Sequence, residues 1–310
     1  CCYPAVEIPV KEFIMMEGGP EAIEKELTAM RKRRFNTEKH VPDHLKRSAL
    51  ECRLICTQKR DSQPKARLVA KDLKARRKLP DTSTYAAVPA MYGVRLLIAA
   101  ADGRAHIIST TDFDVAYLQA ENRADEDTWL LIKYRDPKTG EWVYVWLMGC
   151  IYGEQQAGKS WKDSLCHKMV MVGGFKEVLN MENMYYHPIW RVAVAIHVDD
   201  PIVFSRDEMG YTKTHDFLDQ NFDTKGRQRL TQDHSIDYLS MELTLTPEYD
   251  ITLTNRAKCL KLLEDAGMQD ILPTTMPPMT KATLKAALAD DEPLTPAQNN
   301  VRLADNGRFG

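Results

Sequence analysis

The sequence predicts an α+β fold. Helical and strand-like patterns are mixed along the chain without the regular alternation of a parallel βαβ sheet, strand-like runs come in pairs around turn residues, and no internal repeat is present. Its 310 residues suit one large domain or two to three subdomains sharing a core.

The elements follow in chain order. Residues 20–34 read as an amphipathic helix, because Ile23, Leu27 and Met30 fall at i, i+4 and i+7. Residues 66–70 form a short strand-like run. Residues 91–101 read as a helix ended by Asp102-Gly103. The β-rich run 107–113 predicts a strand. The runs 128–134 and 142–148 predict a strand pair around the turn 136–140. From 156 to 172 the spacing of Trp161, Leu165 and Met169 predicts a helix. The runs 184–187 and 189–198 predict a hairpin leading straight into Asp199-Asp200, and 211–222 another helix. The runs 236–245 and 251–254 alternate as a hairpin. Leu260, Leu263 and Ala266 form the seam of a short helix over 258–266. Beyond Leu272 the chain is rich in Pro, Thr and Ala and reads as a linker or tail.

Composition narrows the function. The hydrophobic fraction of 44% is that of a globular chain, and no run of about 18 apolar residues is present to span a bilayer. The chain opens on Cys1 rather than Met, with no basic segment before an apolar stretch; it reads as a piece of something longer, without a signal peptide. Seven cysteines, odd in number and irregularly spaced, argue against a disulfide scaffold and for a reducing compartment. The net charge of −2 hides an asymmetry: between Arg31 and Lys78, 17 Lys/Arg face 5 Asp/Glu. Such a basic stretch suits either a phosphate-binding surface or a solvated face. His40-x3-His44 with Cys52-x3-Cys56 has the residue types for zinc, but the cysteine spacing is wider than the usual pair. Residues 153–160 lack the spacing of a phosphate-binding glycine loop.

The carboxylates carry the sharpest signal. An apolar run, Trp190 through Val198, ends in Asp199-Asp200, and the run Ile107-Ile108-Ser109-Thr110-Thr111 ends in Asp112. Adjacent acids at the end of a buried hairpin are costly, since desolvation and repulsion both oppose their ionisation. Divalent cations remove that cost. If the two strands are neighbours, three carboxylates converge as a site for two hard cations about 4 Å apart, the arrangement for in-line phosphoryl displacement. Taken alone, an Asp-Asp pair after a strand also fits a turn, and Asp114 is an alternative to Asp112.

At this point a family is visible. Ile196-His197-Val198-Asp199-Asp200 resembles the Tyr-Val-Asp-Asp box of reverse transcriptases from copia-type LTR retrotransposons. Lys65-Ala66-Arg67-Leu68-Val69-Ala70-Lys71 is similar to that family's KARLVAKG. Thr84-Tyr85-Ala86-Ala87-Val88 followed by Val94-Arg95-Leu96-Leu97 resembles its TFAPV…IRLLL segment, and Asp112 through Leu118 its DVKTAFL. Tyr152-Gly153-Glu154-Gln155-Gln156-Ala157 with Trp161 resembles YGLKQAPRxW. Tyr238-Leu239-Ser240-Met241-Glu242 resembles YFLGIEI, and Leu262 through Met268 resembles LLExFGM. The blocks keep the family's order over roughly residues 20–300.

The resemblance implies a right-hand polymerase: fingers and palm with antiparallel sheet, and the start of a thumb or connection. Its expected layout is an N-terminal segment and helix (1–34), basic fingers (35–104), first palm part (105–122), further fingers and palm strands (123–150), palm (151–247), primer grip and thumb start (248–272), and linker (273–310). The RNase H domain is expected to be absent and the chain a fragment or degenerate reading frame. The implied activity is RNA-directed DNA polymerisation. Asp112, Asp199 and Asp200 are the implied catalytic and metal-binding triad, for two Mg²⁺ ions with Mn²⁺ as a substitute. Lys65, Arg67 and Lys71, expected on one strand face, would neutralise the triphosphate of the dNTP. Tyr117 would exclude a 2′-OH, or else fill core space, and Gln156 would contact the nucleotide sugar and template. Lys225 lies where a proton donor to the leaving group would sit. Expected partners are an RNA template, a DNA or RNA primer, dNTPs and other parts of a Gag-Pol-type polyprotein, with no membrane; the expected place is the cytoplasm, in a virus-like particle, or the nucleus. The alternatives are a catalytically decayed nucleic-acid-binding remnant and a two-metal nuclease.

Several residues depart from the pattern. His197 replaces Tyr, Gly158 replaces Pro, Ser240 and Asp72 replace Gly, and Pro201 replaces an apolar residue. Pro201 is expected to distort hairpin pairing, because it lacks the N–H.

Overall fold

The computed structural model describes residues 7–33, 35–58, 63–72, 89, 91–120, 128–265 and 267. The block Thr84 through Val88 and the linker 273–310 lie outside them. Contacts divide the chain into a unit of Glu7–Arg256 and a second of Cys1–Val6 with Ala257–Gly310. The fold is α+β with predominantly antiparallel sheets, as the sequence predicts.

The larger unit begins with α1 (Val10–Phe13) and α2 (Gly19–Arg33), then β1 (Phe35–Asn36), β2 (Leu50–Gln58) and β3 (Pro64–Ala70). After α3 (Met91–Ala100) and β4 (Ile107–Phe113) come β5 (Leu130–Arg135) and β6 (Trp142–Leu147). The first sheet has the order β1-β6-β5-β2-β3, and only β2 and β5 run parallel, with Leu50 opposite Ile132. Strand alternation gives it one apolar face. Cys52, Leu54, Cys56, Ala66, Leu68, Ile132, Val145 and Leu147 are buried there with Ile23, Leu27 and Met30 of α2. Cys52 and Cys56 are thus packing residues, and burial pushes their thiols up to about 12 and about 11.

The next elements are α4 (Ala157–His167), continued as a π-helical turn over Lys168–Val172, then β7 (Lys176–Glu177), β8 (Met184–His187), β9 (Val192–His197), β10 (Asp200–Ser205), α5 (Glu208–Asn221) and β11 (Thr224–Arg229). The helix expected over 156–172 therefore loses its α-helical ladder after His167. The second sheet has the order β11-β4-β10-β9-β8-β7. On one face Phe113, Val194, Ile196 and Val203 pack against Trp161 and Leu165 of α4 and Phe217 and Leu218 of α5. The Asp207 side chain caps α5, accepting from the Gly210 N–H at 2.8 Å. On the opposite face Ile108, Ile202 and Phe204 pack against Val94 and Ile98 of α3 and against a small sheet of β12 (Ile236–Tyr238), β13 (Met241–Leu245) and β14 (Ile251–Thr254).

Two expectations change here. The run 236–245 is not one strand: a two-residue turn at Leu239-Ser240 splits it, with φ of +51° and +65°, and Tyr238 pairs with Met241. Pro201 does not distort its hairpin. It sits opposite Ile196 in an unbroken register from Asp200↔His197 to Ser205↔Val192. In an antiparallel ladder successive residues bond to opposite neighbours, so the missing N–H falls on the β4 side, where pairing is recorded from Ile202↔Thr110 onward. In the second unit, α6 (Arg256–Asp265) has Leu260 and Leu263 exposed.

Candidate active site

β4 and the antiparallel β10 are neighbours in the second sheet, so the end of β4 that carries Asp112 lies beside the start of β10 at Asp200. The Phe113 N–H donates to the Asp199 carbonyl oxygen at 2.8 Å, which fixes Asp112 and Asp199-Asp200 at one corner. All three carboxyls are half-buried. Burial, then the charge of Asp112, raises the Asp199 carboxyl, while Arg67 and Lys65 work the other way. Burial, then Asp199 and Asp112, pushes Asp200 up to about 6. Three carboxylates at one corner, two of them with ionisation opposed by burial and by neighbouring charge, form a donor set of hard oxygens, which fits a divalent cation. Among the described residues no three His, Cys, Asp or Glu side chains stand close enough to hold an ion as they are placed. The cation beside them is the Lys225 ammonium on β11, 3.1 Å from Asp112 Oδ2 and also bonded to Asp114. Burial opposes its charge, but the hydrogen bonds to Asp114 and Asp112 prevail and hold Lys225 above the ordinary lysine range.

The two aspartates of the hairpin are set by a strained turn. Between the paired His197 and Asp200 lie only Val198 and Asp199, and Val198 has φ +57°. A β-branched residue in that region costs about 1–3 kcal/mol. Packing holds it there. The Trp161 indole N–H donates to the Val198 carbonyl oxygen at 2.6 Å, and the ring lies edge-on to Phe113 and Phe222, with centroids 5.5 and 5.8 Å away.

A cleft of about 300 Å³ opens from this corner toward the first sheet, lined by Glu26, Lys65, Arg67, Asp112, Tyr152 and Asp199 among others. Lys65 and Arg67 come from β3, and the Arg67 guanidinium lies 4.9 Å from the Tyr152 ring centroid. Glu26 of α2 accepts the Leu68 N–H at 3.0 Å, and burial raises its carboxyl. Lys71 is placed differently: β3 ends at Ala70, and the Lys71 ammonium pairs with Glu51. Among the described residues Tyr117 and Gln156 do not line the cleft. Tyr117 stands edge-on to Tyr152 at 4.9 Å, and burial, then the charge of Asp199, raises its hydroxyl. Gln156 is the N-cap of α4, its carbonyl accepting the Ser160 N–H at 2.9 Å.

A clasp ties β3 to the start of α4. The Ala70 N–H donates to Tyr152 O at 2.7 Å, and Gly153, at φ +80°, sits so close that a Cβ would fall 2.3 Å from Ala70 O. The buried Asp72 carboxylate accepts from the Gln155 backbone N–H at 3.2 Å and its side-chain amide at 3.1 Å. Sequence reading assigned no role to Tyr152, Trp161 or Glu26. The first two stood in the motif that Tyr152 opens, where an aromatic beside glycine and a lone Trp on an apolar helix face were the available signals.

Comparison with known proteins gives the same direction. The profile of the family described as reverse transcriptase (RNA-dependent DNA polymerase) matches residues 37–281. The chain is similar to the truncated transposon Ty1-A Gag-Pol polyprotein of Saccharomyces cerevisiae, at 24% identity over 73% of this chain and 18% of that protein. It is also similar to the retrovirus-related Pol polyprotein from transposon RE1 of Arabidopsis thaliana, at 26% identity over 76% of this chain and 16% of that one. The chain thus spans less than a fifth of either relative. Among solved structures, apo telomerase from Candida tropicalis aligns with a TM-score of 0.45 and 9% identity, over 76% of this chain and 59% of that one. With its family profile covering the strands that carry Asp112, Asp199 and Asp200, the chain belongs to the reverse transcriptase family, in its copia-type retrotransposon branch.

Proposed function

We propose that this chain is the polymerase core of a copia-type element, extending a DNA or RNA primer with deoxynucleotides against an RNA template. The observation that carries the reading is the corner where burial and the neighbouring charges, that of Asp112 among them, raise the carboxyls of Asp199 and Asp200 beside Lys65 and Arg67. Residues 35–104 would then act as fingers, 105–122 and 151–247 as palm with 123–150 shared between the two, and 248–272 as the primer grip and start of the thumb.

Asp112, Asp199 and Asp200 would hold the divalent cations, Mg²⁺ or Mn²⁺ in its place. When bound, such cations supply the charge that activates the primer 3′-OH and steadies the departing pyrophosphate. Lys65 and Arg67 line the approach and neutralise the triphosphate. Lys71 holds Glu51 at the end of β3 and contributes field rather than contact. Tyr117 braces Tyr152, whose ring lines the cleft and would face the sugar, and Gln156 sets the first turn of α4. Lys225 balances the charge of Asp112 and would pass a proton to the leaving group. The rest of a Gag-Pol-type polyprotein would be its partner, in a cytoplasmic particle or the nucleus. No helix among the described residues is long and apolar enough to cross a membrane.

Primer extension on an RNA template with Mg²⁺ tests this. Extension is expected, falling by about 10³-fold or more in Asp199→Asn. Template binding without extension overturns the reading in favour of a silent remnant, and degradation of primer-template without dNTPs in favour of a nuclease.

A further inference from the structure

The face of the first sheet opposite its core carries an unusual set of side chains. On β6, Trp142, Tyr144 and Trp146 alternate with the buried Val145 and Leu147, so all three rings stand on this outer face, half-buried. Register places Arg135 opposite Trp142 and Lys133 opposite Tyr144. Cations lie over the rings. Arg135 is 4.0 Å and Lys133 5.2 Å from the Trp142 ring centroid. Lys46 is 5.5 Å from that of Tyr144, and Lys39 is 5.3 Å from Trp146 and 4.9 Å from Trp129. The same face continues across the sheet: Glu51 lies beside Lys133, Arg53 is two residues on along β2, and Ile55 is opposite Arg67 on β3. It therefore runs from the ladder of rings to the residues that line the cleft.

Stability alone does not account for the ring at Trp146. The Trp146 indole N–H is buried without an acceptor, a defect that phenylalanine would not have. The pattern instead matches what an unpaired nucleic-acid strand needs: ring faces for its bases and a track of cations for its phosphates. Side chains two residues apart on a strand repeat about every 6.8 Å along it, twice the spacing of stacked bases, so the rings keep step with alternate bases of an extended strand.

We infer that the Trp142, Tyr144 and Trp146 face, with Lys39, Lys46, Lys133 and Arg135, binds single-stranded RNA, as a platform for the template strand outside the cleft. The inference rests on the polymerase reading only for the identity of that strand. Binding itself stands or falls separately.

The test uses the full chain and a labelled single-stranded RNA of about 20 nucleotides, followed by anisotropy across a salt series, with the same RNA as a full duplex for comparison. Single-stranded RNA is expected to bind more tightly than duplex. Trp142→Ala and Tyr144→Ala should each weaken it about tenfold. Lys133→Gln should lower the salt slope by about one. Trp146→Phe keeps a ring and removes the buried donor, so it should retain binding with an unchanged circular dichroism spectrum. Asp199→Asn, which loses extension, should bind the strand like the parent. Parent chain should also extend templates with long 5′ overhangs faster than those with a single overhanging nucleotide, an advantage that disappears in Trp142→Ala. Ring-dependent binding without extension on any template leaves the platform standing and removes the polymerase. Unchanged RNA affinity in a natively folded Trp142→Ala/Tyr144→Ala double variant overturns the platform and spares the polymerase. So does self-association that the ring variants abolish, which would make this face a contact between two copies of the chain.

Discussion

Two hairpin turns of the larger unit hold residues in the left-handed region of the backbone, and they are supported in different ways. In the turn between β9 and β10, Val198 has φ +57°, and the Trp161 N–H grips its carbonyl oxygen while the Phe113 N–H grips that of Asp199. In the turn between β12 and β13, both Leu239 (φ +51°) and Ser240 (φ +65°) are left-handed, a geometry that favours Asn-Gly. Among the described residues no side chain donates to that second turn. Beside it the Tyr238 hydroxyl is buried without a partner. The first turn is strain clamped by packing, and it aims the aspartates. The second is strain without a clamp, and only lowers stability.

The largest test of this contrast is Trp161→Phe, which keeps the ring but removes the N–H. We expect extension to lose at least about tenfold in kcat with KM for dNTP little changed, and chemical unfolding to show a loss of about 1–3 kcal/mol. Next comes Asp200→Asn without divalent cation. The Asp200 carboxyl is raised from 3.8 to about 6 in the folded state, so the fold binds this proton more tightly than the unfolded chain does. Its stabilising contribution is complete below about pH 4 and lost as pH rises through about 6. Asp200→Asn should therefore unfold at higher denaturant than the parent at pH 8, by about 1 kcal/mol after allowance for solvent screening, and like the parent near pH 4. Ser240→Gly should gain about 1 kcal/mol at both pH values, seen as a Tm rise of about 2–4 °C, with extension kept. Smallest in stability is Val198→Gly, where relief of strain and added freedom of the unfolded chain offset each other to within about 1 kcal/mol. Its extension rate should fall all the same; a rate equal to the parent's would erase the distinction between the two turns.

What the sequence made legible was local. α2, β4 and β9 carry their own periodicity, and the acids that follow β4 and β9 become a site because β10, the return strand of the hairpin, pairs with β4. β11 was not legible: Thr224–Arg229 is polar and contains a glycine, and it is a strand only because β4 offers an edge to it. The break at Leu239-Ser240 was hidden because neither residue announces a turn. Lys71 stands one residue past the end of β3 and pairs across to Glu51, on the strand face of Lys65 and Arg67 but at the far end from the cleft, a partner that no local pattern names. The roles of Tyr152 and Trp161 depend on partners 85 and 37 positions away in sequence, Arg67 and Val198, a relation that no local pattern contains.

The clasp at Gly153 joins what the chain order keeps apart. The strand bearing Arg67 and the helix bearing Trp161 hang from the same three residues, Ala70, Tyr152 and Gly153, with Asp72 pinning the next step. On the proposed reading, a pull on Arg67 by an incoming phosphate would be borne by the mount that also steadies the aspartate tip, so nucleotide arrival and the aim of the acids would share one mechanical linkage. Any side chain larger than hydrogen at position 153 would pry that mount open.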